Sequence, residues 1–315
     1  LADVTTPTTP GPRPASATAA GRAGSGHEFD SAKTRTQGQI VLRRFLRHRL
    51  AMTSFAVLVL LVLFAFAGPL FWSFSYEDSS SGSYLAPSGA HPLGTTEVGK
   101  DMLALLMRGT QYSIEIALVV SLLATAMGVV LGALAGYLRG FVDATVMRLV
   151  DLLLILPYIA VAAIIIRTVS GSWYMVALVL ALFHWMQIAR ITRAETLSLA
   201  QREFVEAARA CGAGTWRIIF KHLVPNMIGS ITVNATLTVA TAVLAEAGLS
   251  FIGLGVQLPD TSLGVIVSEN YPQVVQRPWL FWGPFLVIVL ISLTINFIGD
   301  GLRDAFDPRQ TKVRA

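Results

Sequence analysis

The chain is poor in charge and nearly devoid of cysteine. Only 14% of its 315 residues are Asp, Glu, Lys or Arg, against the roughly one quarter usual for soluble domains. Hydrophobic residues make up 54%, and the mean hydropathy is +0.62. A soluble fold of this length cannot enclose that much apolar surface in one core, so lipid is the expected solvent for much of it. The single Cys211 rules out an intrachain disulfide and is read as a small buried side chain without a redox role. Five scattered histidines (His27, His48, His91, His184, His222) lack metal-ligand spacing. No Gly-x-x-x-x-Gly-Lys-Ser/Thr phosphate loop occurs. The chain is therefore expected to bind no cofactor and not to bind ATP itself; the energy for any ATP-driven work has to arrive through a partner.

What the sequence has in quantity is long apolar runs. Six segments, at about 50–72, 113–136, 149–169, 173–190, 227–249 and 279–298, approach the ~20 residues needed to cross a bilayer. Before them, residues 1–39 are rich in Pro, Ala, Thr and Gly and read as a disordered tail. Residues 40–49 place Val41, Leu42, Phe45 and Leu46 on one helical face among Arg43, Arg44, Arg47 and Arg49, the pattern of an interfacial amphipathic helix. The first run ends Ala65-Phe66-Ala67, which imitates a signal-peptidase site, but it is too extended for a signal peptide and reads as an uncleaved span.

The net charge is +5, and the positive charge lies beside the apolar runs, which favours lipid headgroups over nucleic acid. Basic residues cluster before the first span, between spans four and five (Arg190, Arg193, Arg202, Arg209, Arg217, Lys221) and in the C-terminal tail at 311–315 and just before it. The external loop at 73–112 and the loop between spans five and six carry more acid. The alternation predicts both termini on the cytoplasmic side of a bacterial plasma membrane and an even number of spans.

The segment 191–226 is too polar and too long for a simple turn. Ser198 and Gln201 form a capping-box pattern, which predicts a helix starting there and running from Gln201 to Cys211, with Gly212 as its stop. Phe204, Ala207, Ala208 and Cys211 share one face, while Arg202, Glu206 and Arg209 share another and can pair. A second short helix is predicted from Thr215 to about His222, with Pro225 at the start of the fifth span. The helix pair either projects into the cytoplasm toward another surface or packs on the protein's own spans; pattern alone leaves both open.

Glu206-Ala207-Ala208 with Gly212, followed by Lys221-His222-Leu223-Val224-Pro225-Asn226, resembles the EAA loop of permease subunits of binding-protein-dependent ABC importers. An aliphatic residue is usual at His222, and a basic-His ending suits the peptide and nickel branch. Three further stretches resemble that branch. They are His91 to Asp101 (His-Pro-Leu-Gly-Thr-Thr-Glu-Val-Gly-Lys-Asp, with Lys100 where Arg is commoner), Ala245 to Gly255 around Glu246, and Gly299 to Asp304 with Asp307-Pro308. The resemblance covers about residues 40–310 and is to the C-type permease of oligopeptide or dipeptide importers. It implies an all-α permease domain over 50–310, in which Arg202, Glu203, Phe204, Glu206, Ala207, Ala208, Gly212 and Pro225 couple to a nucleotide-binding partner. The partners it implies are a B-type permease, two ATPase domains that bind ATP and Mg, and an extracytoplasmic peptide-binding protein. Nickel, glutathione or haem as cargo is the nearest alternative. An ion-gradient-driven transporter predicts inverted repeats or paired acids and cations within the spans, whereas no clear repeat occurs and charges within spans are few; a plain scaffold would leave the helix pair unexplained.

Other residues carry two readings each. Glu246 lines a gate or contacts the binding protein, or it snorkels to the outer interface. His91, Gly94 and Asp101 belong to an external docking surface or to a cap on the bundle. Asp151 is expected in a structural pair. Trp185 touches cargo or belongs to an interfacial aromatic belt. Gly248, Gly253 and Gly255 serve close packing or a helix break.

Overall fold

The computed structural model describes residues 37–169 and 171–307. The expected tail up to residue 36 and the C-terminal segment from 308 lie outside the described residues. Residues 37–39, assigned to the tail from sequence, already belong to the first helix, α1 (Gln37–Arg47).

The described residues are helical, with no strand among them. Among the described residues, five helices are long and apolar enough to cross a membrane: α2 (Arg49–Phe71), α3 (Met102–Leu138), α6 (Trp173–Leu199), α10 (Ile228–Phe251) and α12 (Pro278–Phe306). The expected third span is not one helix. It is α4 (Gly140–Ile155) and α5 (Tyr158–Thr168), bent by 88° at their junction. The physical reason is Pro157, which supplies no N–H and pushes Leu156 into an extended conformation (φ −71, ψ 138). Together the two pieces still carry the chain across. The inner end of α3 holds Tyr137 beside Arg209, whereas the start of α6 is tied to the opposite loop, where Gln257 N–H donates to Gly171.

The second span also differs. It extends back to Met102, giving α3 37 residues, so the irregular external loop is shorter than the predicted 73–112. Asp101 starts this helix by accepting from the Ala104 N–H at 2.8 Å.

The bundle is built around α3 and α6. Gly128, Gly132 and Gly136 form a stripe on α3 against α6, and a Cβ on Gly132 would lie 2.4 Å from the Ala189 carbonyl oxygen. Small residues four apart let two helix backbones approach where lipid gives apolar side chains no reason to pair. Ion pairs at the inner ends brace α4 on α6, Arg193 with Asp143 and Arg190 with Asp151. Asp151 is thus structural, as expected.

α1 lies on the end of α12. Phe45 approaches Gly301, and the Arg44 guanidinium donates to the Asp307 carbonyl at 3.1 Å. Leu42 and Leu46 of α1 stay exposed, as an interfacial helix requires. Phe306 of α12 meets Gly229 at the start of α10. The first helix, the last helix and the 203–226 segment therefore share one end of the bundle, and the loop 72–101 with α11 (Leu263–Asn270) caps the other.

Candidate functional site

The polar segment between α6 and α10 forms a compact knob. It does not start where the capping-box pattern places it. α6 continues through Ser198 to Leu199, and the next helix, α7, spans Glu203–Ala210 with Arg202 as its N-cap. Ser198 is helical already, so it has no free helix start to cap. The predicted stop holds: Gly212 has φ +78, the Ala213 N–H donates to Ala208 at 3.0 Å and the Gly212 N–H to Arg209 at 2.9 Å. This pairing closes the last turn around a left-handed residue.

The second helix begins at Thr215 as predicted, but it runs as α8 (Thr215–Arg217), a π-turn (Ile218–Leu223) and α9 (Val224–Asn226) before α10. Pro225 thus sits in α9, three residues ahead of the fifth span. A proline cannot donate, and it crowds the carbonyl four residues back; the widened turn immediately before it accommodates both effects.

α7 does not bury the face that its apolar spacing marks. The inward side chain of α7 is Val205, fully buried with Ile218, Ile219, Leu223, Met227 and Ala133 in a small core of their own. Ala208 packs partly against that core, whereas Phe204, Ala207 and Cys211 are exposed. The periodicity placed apolar residues together correctly, but the helix turns only its Val205 side to the bundle. Cys211 is accordingly a free, exposed thiol, not a buried one. The expected pairing of Arg202, Glu206 and Arg209 is also absent among the described residues. Arg209 instead donates to the Tyr137 hydroxyl at 3.2 Å and lies over that ring, which fastens α7 to α3.

Both open readings of this segment thus describe part of it. One side packs on the protein's own span, and the other presents Phe204, Glu206, Ala207, Trp216 and Phe220 outward. Trp216 is 60% exposed and Phe220 45%, and their rings stack at 5.6 Å and 7°. An exposed apolar platform carrying charge at its edge is the signature of a contact surface. Trp216 and Phe220 were not singled out from sequence. Their spacing of four on a predicted helix, away from Ile218 and Ile219, is the signal that could have found them.

At the opposite end, His91, Gly94 and Asp101 form the inside of the loop and not a free docking surface. His91 Nδ1 lies 2.7 Å from Asp101 Oδ2, and both residues are buried. Trp72 Nε1 donates to Asp101 Oδ1 at 3.0 Å, and the His91 ring packs on Phe74. Gly94 has φ +70, with the Leu85 carbonyl 2.4 Å from where a Cβ would be.

Glu246 does not snorkel. It is fully buried, with Ser113 Oγ 3.1 Å away on α3 and Ser250 Oγ 2.7 Å away on α10. Ser113 accepts from the Leu263 N–H of α11, and Ser250 contacts Ser262. The acid thus organises a hydroxyl cluster that joins three elements, since a buried polar group needs partners of this kind. Trp185 is likewise buried and belongs to neither an aromatic belt nor a cargo surface; it packs in the main core. The three glycines divide: Gly248 approaches nothing, Gly253 takes φ +76 at the end of α10, and Gly255 meets Ser250 closely.

Comparison with known proteins agrees with this geometry. Residues 128–312 match the family model described as binding-protein-dependent transport system inner membrane component, and residues 36–87 match the N-terminal transmembrane domain of oligopeptide transport permease C. The chain is 42% identical to the oligopeptide transport system permease protein OppC of Mycobacterium tuberculosis over 91% of this chain and 98% of that protein. For the proteins of the same name in Escherichia coli and Bacillus subtilis the identities are 38% (87% of this chain, 92% of the relative) and 33% (93% and 96%). Among solved structures, an inward-facing form of the MetNI methionine ABC transporter aligns with a TM-score of 0.54 at 23% identity, covering 65% of this chain and 98% of that one. That likeness is one of fold.

Proposed function

This chain belongs to the family of binding-protein-dependent transport system inner membrane components, and from that premise we propose how it works as an oligopeptide permease subunit. The knob of α7 and α8 seats in a groove on a partner ATPase. ATP and Mg act there and not on this chain. Closure of two ATPase domains pushes the knob, and the Val205–Ile219–Leu223 core passes the push to α3 and α10. A B-type permease completes the path, and an extracytoplasmic binding protein delivers the peptide. The knob-bearing end, which also holds α1 and the end of α12, faces the cytoplasm.

The observation that carries this reading is the two-sided knob: among the described residues, one face is locked on α3 by Val205 and Arg209, and the other leaves Phe204, Glu206, Trp216 and Phe220 exposed. The test is reconstitution of the complex with Glu206→Arg. The expected result is binding-protein-stimulated ATPase activity and peptide uptake both falling about tenfold or more, as a charge reversal in a desolvated contact brings. Uptake at the unaltered rate would remove the knob from the coupling path.

A further inference from the structure

A cavity of about 490 Å3 opens in the side of the bundle between α4, α5, α6, α10 and α12. Its volume falls in the range of small-ligand sites. Two independent features meet there. The first is the break at Pro157, with Leu156 and Tyr158 lining the cavity. Interrupted backbone at membrane depth persists only where it is covered by protein or lines water. The second is a polar stripe: His184 and Gln187 from α6, Asn234, Thr238 and Thr241 from α10, and Asn296 from α12. Gln187 is exposed, and an amide turned to hydrocarbon is unfavourable. This wall is therefore turned to water or to protein and not to lipid.

Among the described residues that line the wall there is no Asp, Glu, Lys or Arg. Arg190 and Asp151, which follow Gln187 and precede Leu153 on α6 and α4, are paired with each other. Some of its donors are committed to the helices that carry them. Asn234 and Asn296 donate their amides at 2.8 Å to Ser230 and Ser292 carbonyls. Thr238 donates to the Asn234 carbonyl at 2.8 Å, and His184 Nδ1 donates to Leu180 at 2.8 Å. The amide oxygens, the hydroxyl lone pairs and His184 Nε2 remain for the cavity, as do the Gln187 NH2 and the second N–H of each asparagine. An uncharged wall with both acceptors and donors matches the main-chain N–H and C=O groups of an extended peptide and reads neither acidic nor basic side chains.

We propose that this wall is the part of the translocation path that the peptide main chain slides along, with its lack of charge making passage indifferent to the charge of the cargo. The proposal rests on the oligopeptide reading above and goes beyond it by naming the surface and what it recognises.

The test is uptake, by the whole reconstituted complex with its binding protein, of two alanine tetrapeptides that carry one lysine or one glutamate. The readout is the ratio of their rates within each variant, which cancels differences in assembly and in binding-protein preference. Asn234→Asp and Gln187→Glu each place a carboxylate on the wall. Each is expected to raise the lysine-to-glutamate ratio about tenfold over the unaltered complex, as opposed charges a few ångströms apart would. If Asn234→Asp fails to assemble, the exposed Gln187→Glu decides alone. A ratio equal to that of the unaltered complex overturns the proposal and marks this face as one covered by the second permease. Failure of the unaltered complex to take up either peptide overturns the oligopeptide reading instead.

Discussion

Three single residues separate conformational demand from space and from hydrogen bonding. At Gly212 a Cβ would meet nothing within 4 Å, yet φ is +78. Gly212→Val therefore costs backbone strain alone, about 1–2 kcal/mol, whereas Gly212→Asn is tolerated better because Asn visits this region. Limited proteolysis of the 203–226 segment should rank them so. Gly132 is the converse case: its Cβ would strike the Ala189 backbone oxygen. Gly132→Val is expected to cost at least the ~1–3 kcal/mol of core overpacking, seen as a lower melting temperature in detergent. At Glu246, Gln keeps the shape and one of the two acceptor oxygens. Glu246→Leu removes the acceptor to which the Ser113 and Ser250 hydroxyls both donate, at about 1–3 kcal/mol for buried donors left without one, and the Leu variant should unfold at the lower temperature of the two. The EAA-like motif made the need for glycine at 212 legible. The role of Gly132 depends on which helix lies opposite, which no local pattern contains.

At the scale of elements, sequence periodicity located every apolar run but not what each run does. The 149–169 run looks continuous in hydropathy, and only the rule for residues before proline marks Leu156 as a break. Ser198-x-x-Gln201 satisfies the capping-box pattern, yet α6 continues past Ser198, because Thr192 and Thr196 are buried on its α3 side and tertiary packing extends the helix. The loop 72–101 is polar in composition and carries no apolar periodicity. Its interior is held by one carboxylate, Asp101, which serves the Ala104 N–H, Trp72 and His91 together. Asp101→Ala is thus expected to cost more than the ~1 kcal/mol of a lost cap, and to open the loop. Hydrogen exchange should show faster exchange across 94–105 in the variant while α6 and α10 remain as protected as before.

For the whole molecule, both described chain ends and the knob lie at one end of the bundle, which is the arrangement six crossings produce. The loop charges anticipated it, because unlike contacts they act through the membrane and need no knowledge of packing. The knob's outward face did not emerge from periodicity, since a helix on a bundle end and a helix on a partner have the same pattern. The central claim is that this face is covered by an ATPase in the working complex. Cys211 is the sole cysteine of the chain and is exposed at the end of α7, so it reports directly on that cover. The decisive measurement is the rate of maleimide labelling of Cys211 in the permease pair in detergent, with and without the ATPase subunits. The account predicts a rate at least about tenfold slower when the ATPases are bound, recovering when they are stripped away. Equal labelling in the two states would contradict it.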